Sequence, residues 1–349
     1  MKRGGFDVVI GNPPFLELSE VEYKLGNFKT KTTGAIHAAC VERAFQLVHE
    51  SGSLSMVFPM SLVSTQRMKV VQNLLEKDRN VWYANFAWRP AKLFENVNRA
   101  ISIFVNTGAF ETESYSTGYV KWTSDTRDHL IPTLAFTRIP SDRGQFWAPK
   151  LSCKLEEKIL DKLISAKTTV ATQVVRSEHK IYYRTTGGLY WKVFTDFAPK
   201  FKLNGKADHS SRETSFSIRE NSAIEPIIAI LSSNTFWWWY TITTNLRDLN
   251  PTDILTFPVK ESMLNDARLR ELGRKYLADI VANSSMLVRN QKKTGKTQTQ
   301  SFKIQKSKMI IDDVDSEMAG LYGFTGEELD FIINYDIKYR MGNEGTEDV

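Results

Sequence analysis

The chain reads Phe6-Asp7-Val8-Val9-Ile10-Gly11-Asn12-Pro13-Pro14-Phe15 near its beginning. The apolar run predicts a buried strand over Phe6–Ile10, and the two prolines predict a loop directly after it. Ligands of open α/β sheets bind beyond the carboxyl ends of the strands, so we expect residues 11–15 to lie at a binding site. Asn-Pro-Pro alone also occurs as an ordinary turn after a strand, and the complete stretch favours the binding site over that turn.

The chemistry of residues 12–15 suits an NH2 group on a planar ring or an amide. Such an amine is a poor nucleophile because its lone pair is delocalised. The Asn12 side-chain oxygen and the Pro13 carbonyl can each accept one of its hydrogens, and the prolines add no competing N–H donor. Phe15 offers a face for stacking, which contributes roughly 1–3 kcal/mol per base. This offsets part of the few kcal/mol needed to flip a base out of a duplex.

The stretch resembles motif IV, the Asn/Asp-Pro-Pro-Tyr/Phe signature of amino-group methyltransferases that use S-adenosylmethionine. It is most similar to the DNA adenine-N6 methyltransferases of restriction-modification systems. The resemblance implies catalytic roles for Asn12, Pro13, Pro14 and Phe15, with S-adenosyl-L-methionine as the cofactor. Protein-glutamine methyltransferases carry the same motif, because a carboxamide NH2 poses the same chemical problem. The sulfonium donor is already activated, so the resemblance implies no metal, and we interpret the acidic residues at 312–328 as helix caps and solvated faces.

Length and composition set broad limits. A chain of 349 residues predicts two or three domains, and 42% apolar with 25% charged residues is ordinary for a globular protein. A net charge of +6 favours a polyanionic partner without identifying one. Cys40 and Cys153 lie far apart and lack metal-ligand spacing, so we expect a reducing, cytoplasmic setting. No apolar stretch is long enough to predict a membrane span.

Strand and helix patterns alternate after the loop, which indicates an α/β doubly wound sheet. Strands are predicted at Ser53–Phe58, Val81–Phe86 and Ile101–Asn106, and helices at 36–48, ending at Ser51-Gly52, and at Ser64–Lys77. The stretch 93–104 resembles the later motif whose strand lines the target-base pocket in the same family. This resemblance implies pocket roles for Phe94, Phe104 and Asn106. For Phe104, a core position in an apolar strand is the alternative.

Members of this family hold the cofactor through an acidic-then-glycine-rich turn well upstream of Asn-Pro-Pro. No such turn is found in this sequence. We therefore expect an incomplete S-adenosylmethionine-dependent methyltransferase (Rossmann-like) sheet, followed by an α+β target-recognition domain. An upstream methyltransferase half, in the same longer protein or in a separate chain, is expected to supply the turn, and the isolated chain is expected to be inactive.

The character of the sequence changes near Phe146-Trp147. We expect the carboxyl-terminal half of a catalytic domain at 1–148, a DNA target-recognition domain at 149–260 and a helical extension at 261–349. Cations suit phosphates and aromatics suit stacking, so the basic, aromatic stretch after 180 predicts double-stranded DNA as a partner. The DNA-binding candidates are Arg184, Lys192, Lys200 and Lys202, which sit around a predicted hairpin turn at Gly187-Gly188. An ordinary hairpin with solvated lysines is the alternative.

Two later stretches, 228–259 and 312–340, resemble type IIG restriction-modification enzymes, and the first also resembles type I specificity subunits. The tryptophans Trp237, Trp238 and Trp239 are predicted to be core residues, because their spacing covers every face of a helix. A long helix is predicted over Glu261–Gln291 and a loop over Lys292–Gln300. The predicted function is site-specific DNA adenine-N6 methylation. There are two alternatives. One is a non-catalytic DNA-specificity module that needs a partner chain, and the other is a protein-glutamine methyltransferase.

Overall fold

The computed structural model describes residues 4–22, 24–108, 112–141, 143, 145–186, 190–291 and 295–341. The chain divides into two compact units. The first unit contains residues up to Lys158 together with Thr241–Asn245, and the second contains Ile159–Tyr240 and the residues from Leu246 onward. The domain boundaries expected after residues 148 and 260 remain predictions.

The first unit alternates strands and helices. In chain order they are β1 (Phe6–Gly11), α1 (Ile36–Phe45), β2 (Val48–Pro59), α2 (Ser61–Ser64), α3 (Lys69–Glu76), β3 (Arg79–Phe86), β4 (Ile101–Gly108), β5 (Ser114–Val120) and β6 (Thr137–Arg138). The predicted strands are therefore confirmed. Helix α1 ends earlier than predicted, because β2 begins at Val48 and already contains Ser51-Gly52. The predicted helix at Ser64–Lys77 is α3, preceded by the short α2 and a 3-10 turn at Gln66–Met68.

These strands form one mixed six-stranded sheet in the order β1-β2-β4-β3-β5-β6. Strand β1 is parallel to β2 and β3 is parallel to β5, whereas the other pairs are antiparallel. Helix α1 is the crossover that makes β1 and β2 parallel, as the α/β pattern requires. Gly52 lies where the two strands approach closely, since a Cβ there would come within 2.9 Å of the Phe6 and Asp7 carbonyl oxygens.

Strand β1 lies at the edge of this sheet, which corrects the expectation of a buried strand. Its alternate side chains Phe6, Val8 and Ile10 are exposed by 58%, 57% and 77%. Only Val9 packs against the core, which is centred on residues of α1, β2, α3 and β4. An edge strand has one neighbour, so a continuous apolar run does not by itself bury both of its faces.

The second unit combines helices with three small sheets. Helix α4 (Lys154–Ile164) passes from the first unit into the second. The elements that follow are β7 (Thr168–Thr169), β8 (Lys180–Arg184), β9 (Phe194–Thr195), β10 (Phe201–Leu203), β11 (Lys206–Ala207), β12 (Glu213–Ser217), α5 (Ile224–Ser232), α6 (Asn234–Thr243), α7 (Pro251–Leu255), β13 (Pro258–Val259), α8 (Glu261–Leu264), α9 (Ala267–Ala282), β14 (Ser284–Gln291), β15 (Gly295–Phe302), α10 (Lys308–Tyr322), α11 (Gly326–Asn334) and α12 (Ile337–Arg340).

The small sheets have the orders β11-β10-β15-β14, β12-β8-β9 and β13-β7, and all of their pairs are antiparallel. The long helix predicted over Glu261–Gln291 is wrong, because α9 ends at Ala282 and the chain continues as β14. The loop predicted over Lys292–Gln300 is also wrong in its described part, which lies in β15. The predicted turn at Gly187-Gly188 lies outside the described residues.

The three tryptophans of α6 are buried, with at most 3% of their surface exposed, so their prediction as core residues is confirmed. The acidic residues predicted to cap helices include Asp315, which is buried. Its carboxylate accepts hydrogen bonds from the backbone N–H groups of Asn234 and Thr235, at 2.8 and 2.9 Å, and so caps the first turn of α6. Among the described residues, no helix combines the length and apolar composition that crossing a bilayer requires.

Candidate active site

The Asn-Pro-Pro-Phe segment follows β1 directly, at the end where β1 and its parallel neighbour β2 both terminate. Asn12 is exposed, and its side chain has no hydrogen-bond partner in the described part of the chain. Pro13 is buried and Phe15 is half-buried. A backbone held by Pro13 and Pro14 therefore presents a free amide group beside an aromatic ring.

Phe15 is the outer end of a column of aromatic rings that runs into the core. Its ring centroid lies 5.9 Å from that of His37, with an interplanar angle of 75°. The His37 ring lies 4.6 Å from the Phe58 ring at 79°, and Phe58 lies 6.3 Å from Phe104. Edge-to-face contacts of this kind are favourable for aromatic pairs. They fix the orientation of Phe15 relative to the sheet.

His37 is buried beneath the loop, with 2% of its surface exposed. Neither ring nitrogen has a hydrogen bond to the described residues. Burial lowers the pKa of His37 to about 4, against the opposing effect of the Glu17 carboxylate. The imidazole is therefore neutral at pH 7, and it supports Phe15 as a flat, uncharged ring. The sequence analysis missed His37. The available signal was a lone histidine on the apolar face of the helix predicted at 36–48.

The segment after Phe15 is tied to the 3-10 turn at Gln66–Met68 and to the start of α1. Arg67 donates two hydrogen bonds to the Glu17 carboxylate, at 2.7 and 2.8 Å, and a third to the Thr33 carbonyl at 3.2 Å. The bonds from Arg67 lower the pKa of Glu17. The backbone N–H groups of Leu18 and Ile36 bond across the base of the segment to the Gly34 and Leu16 carbonyls, at 2.7 and 3.0 Å. These contacts hold residues 16–22 and 24–34 next to the loop.

A cation that the sequence interpretation missed lies beside Phe15. The Arg99 guanidinium carbon is 6.0 Å from the centre of the Phe15 ring. Arg99 is exposed and forms no ion pair with the described residues. A guanidinium next to a stacking ring suits a nucleotide, because it can bind a phosphate while the ring contacts the base.

Two of the predicted pocket residues lie in the interior of the first unit. Phe104 and Asn106 are fully buried in β4. The Asn106 amide donates to the Leu75 carbonyl at 2.6 Å, and its oxygen accepts a hydrogen bond from Arg79. Alternate residues of a strand share a face, so both side chains point to the same buried face of the sheet. Their roles in a base pocket stay predictions.

Phe94 remains accessible, with 37% of its surface exposed. It lines a cavity of about 680 Å³ together with Trp122 and Arg127. Within the described residues, its ring makes no contact with the Phe15 ring. The structure therefore places Arg99 against Phe15, which follows Asn12 in the same loop, and it places Phe94 in the cavity with Trp122 and Arg127.

The predicted DNA-binding residues lie in different elements of the second unit. Lys200 and Lys202 are exposed before and within β10. The Lys192 ammonium lies 4.6 Å above the Tyr240 ring. Arg184 is half-buried at the end of β8, and burial lowers its pKa. Its register partner on β12 is Glu213, whose carboxylate opposes that shift.

The described part of the chain lacks a recognisable glycine-rich turn for a cofactor. No strand in this part is followed by a glycine-rich turn into a helix, and β1 instead leads into two prolines. We therefore assign no residue of this chain to the adenosine or methionine group. Among the described residues, no group of three or more His, Cys, Asp or Glu side chains could hold a metal ion.

Residues 1–94 match the model of the Eco57I restriction-modification methylase family. This part of the chain contains the Asn-Pro-Pro-Phe loop, β1, α1 and β2. No curated protein sequence matches the chain.

Two solved structures of restriction-modification enzymes are similar to the chain. The Type IIL restriction-modification enzyme MmeI, solved in complex with DNA, has a TM-score of 0.50 and 10% sequence identity over 95% of this chain. The chain spans 57% of the length of that MmeI chain. A nuclease-deletion mutant of the Type ISP enzyme LlaGI, in complex with a DNA substrate mimic, has a TM-score of 0.42 and 10% identity, over 84% of this chain and 46% of that one. At such identities, the likeness to MmeI shows a shared fold alone.

Proposed function

We propose that the protein is the acceptor-binding and DNA-reading part of a site-specific DNA adenine-N6 methyltransferase of a restriction-modification system. The observation that carries this proposal is the free Asn12 amide beside the half-buried Phe15 ring, at the carboxyl end of β1. It lies in the segment that matches a restriction-modification methylase family. The exposed lysines of the second unit and the net charge of +6 support a polyanionic partner.

The loop can hold an adenine that has left the duplex. Phe15 stacks on the base, and the Asn12 side-chain oxygen and the Pro13 carbonyl accept the two hydrogens of the exocyclic amine. Accepting both hydrogens localises the lone pair on the nitrogen and directs it toward the methyl donor. S-adenosylmethionine, when bound, supplies an activated methyl group, so these residues need only bind and orient the amine. Arg99 is placed to bind the phosphate of the flipped nucleotide.

The cofactor is held, in this proposal, by a second methyltransferase half in the same longer protein or in a separate chain. The absence of a glycine-rich turn from the described strands supports this division. The same absence supports a second candidate function, a DNA-specificity module that binds its site but transfers no methyl group by itself.

The test uses the full chain, purified from its native host with any polypeptide that accompanies it. The complex is incubated with unmethylated genomic DNA and radiolabelled S-adenosylmethionine, and the nucleosides are separated after digestion. We expect label in N6-methyldeoxyadenosine. Asn12→Ala should lower the rate about 100- to 1000-fold, as the loss of one transition-state hydrogen bond does elsewhere, with DNA affinity unchanged. Asn73→Ala, on an exposed face of α3, is the matched control.

Other results would contradict the proposal in distinct ways. Label in cytosine would show that a different base is methylated. Label in protein glutamine would show that the substrate is a protein. A rate for Asn12→Ala within a few fold of the wild type would refute the role of Asn12. Sequence-specific binding of DNA without transfer, from every accompanying polypeptide tested, would favour the specificity module.

A further inference from the structure

The four-stranded sheet β11-β10-β15-β14 has an unusual composition for a solvated sheet. Its described strands contain no aspartate or glutamate. They contain four cationic residues, Lys202, Lys206, Arg289 and Lys296, and otherwise mainly amide, hydroxyl and aliphatic side chains. Solvated sheets ordinarily mix both signs of charge, so this one is complementary to a polyanion.

Six side chains on one face of this sheet form a surface that we call the reading face. In antiparallel strands, directly opposed residues share a face. Gln298 of β15 lies directly across from Val288 of β14 on one side and from Lys202 of β10 on the other. Asn290 of β14 lies across from Lys296 of β15. Met286 lies on the same face, two residues before Val288. Met286 and Val288 are exposed by 41% and 48%, and Lys202, Asn290 and Lys296 are also exposed.

The outer polar side chains of the reading face have no partner among the described residues, whereas Gln300 at its inner end is held by hydrogen bonds. The side chains of Lys202, Asn290, Lys296 and Gln298 have no hydrogen-bond or ion-pair partner in the described part of the chain. Gln300, at the base of the same face, accepts a hydrogen bond from the Lys200 backbone at 3.0 Å and donates to Ser284 at 3.1 Å. The strands are thus held rigidly while the outer amides and ammonium groups face solvent.

We propose that the reading face contacts base edges in a groove of duplex DNA, an inference that rests on the proposed function. Amide side chains bind adenine bidentately, lysine binds guanine, and aliphatic groups contact the thymine methyl. All three kinds of side chain are present on this one face. Same-face residues of a strand lie about 7 Å apart, which matches two base-pair steps of about 3.4 Å each.

An arginine cluster beside the sheet supplies a place for the DNA backbone. Burial lowers the pKa of Arg184, and the repulsion of the Arg212 and Arg289 charges adds to that shift. Glu213 is the carboxylate that opposes this repulsion, and it is itself half-buried. Arg289 is on β14, on the face opposite the reading face, since it is opposed to Thr297. A phosphate bound there would relieve the repulsion and set the register of the strand on the duplex.

The experiment selects bound duplexes from a random library with the full chain and sequences them. The wild type should enrich one motif. The double variant Asn290→Ala/Gln298→Ala should lose about 5- to 150-fold of the preference at two or three adjacent positions, as expected for lost bidentate contacts, and keep it elsewhere. The matched control is Ser285→Ala/Thr299→Ala, on the opposite face of the same strands, and it should keep the whole motif. Thermal unfolding of all three proteins verifies that the folds are equal.

The outcomes separate this inference from the proposed function. A wild type that enriches no motif would overturn both. A wild-type motif that the reading-face variant fully retains would overturn this inference alone. Sedimentation of Met286→Ser/Val288→Ser provides a second test. If that variant turns a dimer into a monomer and the DNA motif persists, the face is a self-association surface, and the DNA assignment is wrong.

Discussion

His37 gives the sharpest test of the candidate active site that does not require activity. Its pKa of about 4 in the folded chain lies below the ordinary value of 6.5. The unfolded chain therefore binds more protons between these two values, so the folded state loses stability as the pH falls from 6.5 toward 4. Linkage gives a loss of about 1.5 kcal/mol at about pH 5.5 and about 2.5 kcal/mol at about pH 4.5 from this residue.

The perturbation is His37→Phe, which keeps a ring between Phe15 and Phe58 and removes the titrating group. Urea unfolding followed by circular dichroism at three pH values gives the free energy of unfolding of each protein. Carboxylates titrate in the same range, so the measured quantity is the difference between wild type and variant at each pH. The free energy of unfolding of the variant minus that of the wild type should increase by these amounts as the pH falls. His37→Leu tests the same point if the larger ring is poorly accommodated, and His129→Phe removes an exposed histidine as the control. A difference that stays constant with pH would refute the burial of a neutral His37.

Three further predictions concern packing and the loop. Asp315→Ala should lower the free energy of unfolding by about 3–5 kcal/mol, because it leaves buried donors of α6 unpaired, while the exposed Asp313→Ala should change it by less than about 0.5 kcal/mol. Arg67→Ala should cost less than about 1 kcal/mol, since the Arg67–Glu17 pair is half-exposed, yet mass spectrometry should show faster tryptic cleavage after Lys24 or Lys29. In a competition gel shift, Phe15→Ala should lower the affinity for DNA with a mismatched adenine by roughly 1–3 kcal/mol of stacking, whereas Phe15→Tyr should not.

The strands and helices of the first unit could be predicted because each buries one face or both. β2, β3 and β4 are each flanked by other strands, so they are largely buried, and their stretches of strand-forming residues end at clear turn signals. The error at β1 has the same origin. A continuous apolar run indicates a strand, but it does not state how many neighbours the strand has. The exposure of Ile10 therefore depends on sheet order, which one sequence does not reveal.

The candidate site was predictable only in its local part. Asn12, Pro13 and Phe15 are adjacent in sequence, so a motif can name them together. His37 reaches the loop from α1 and Arg99 from the segment just before β4, and their distances in sequence from Phe15 differ. Asn106 lies near a recognisable motif, but its side chain is held by Arg79 in the interior. Adjacency in sequence places a residue near a motif, and only the pairing of strands decides the face to which its side chain points.

The strands β14 and β15 could not be predicted because they lack the signal on which strand prediction depends. A half-buried strand alternates apolar and polar residues, and its apolar face gains stability from burial. Here the helical spacing of α9 ends at Ala282, and the following residues are largely polar on both faces. Their ladder is held by backbone bonds and by Gln300, so the outer face contributes little to stability. Substitutions at Asn290 or Gln298 should therefore change the free energy of unfolding by less than about 0.5 kcal/mol. Because stability is then nearly independent of these residues, any loss of sequence preference in their variants reports contact with DNA rather than damage to the fold.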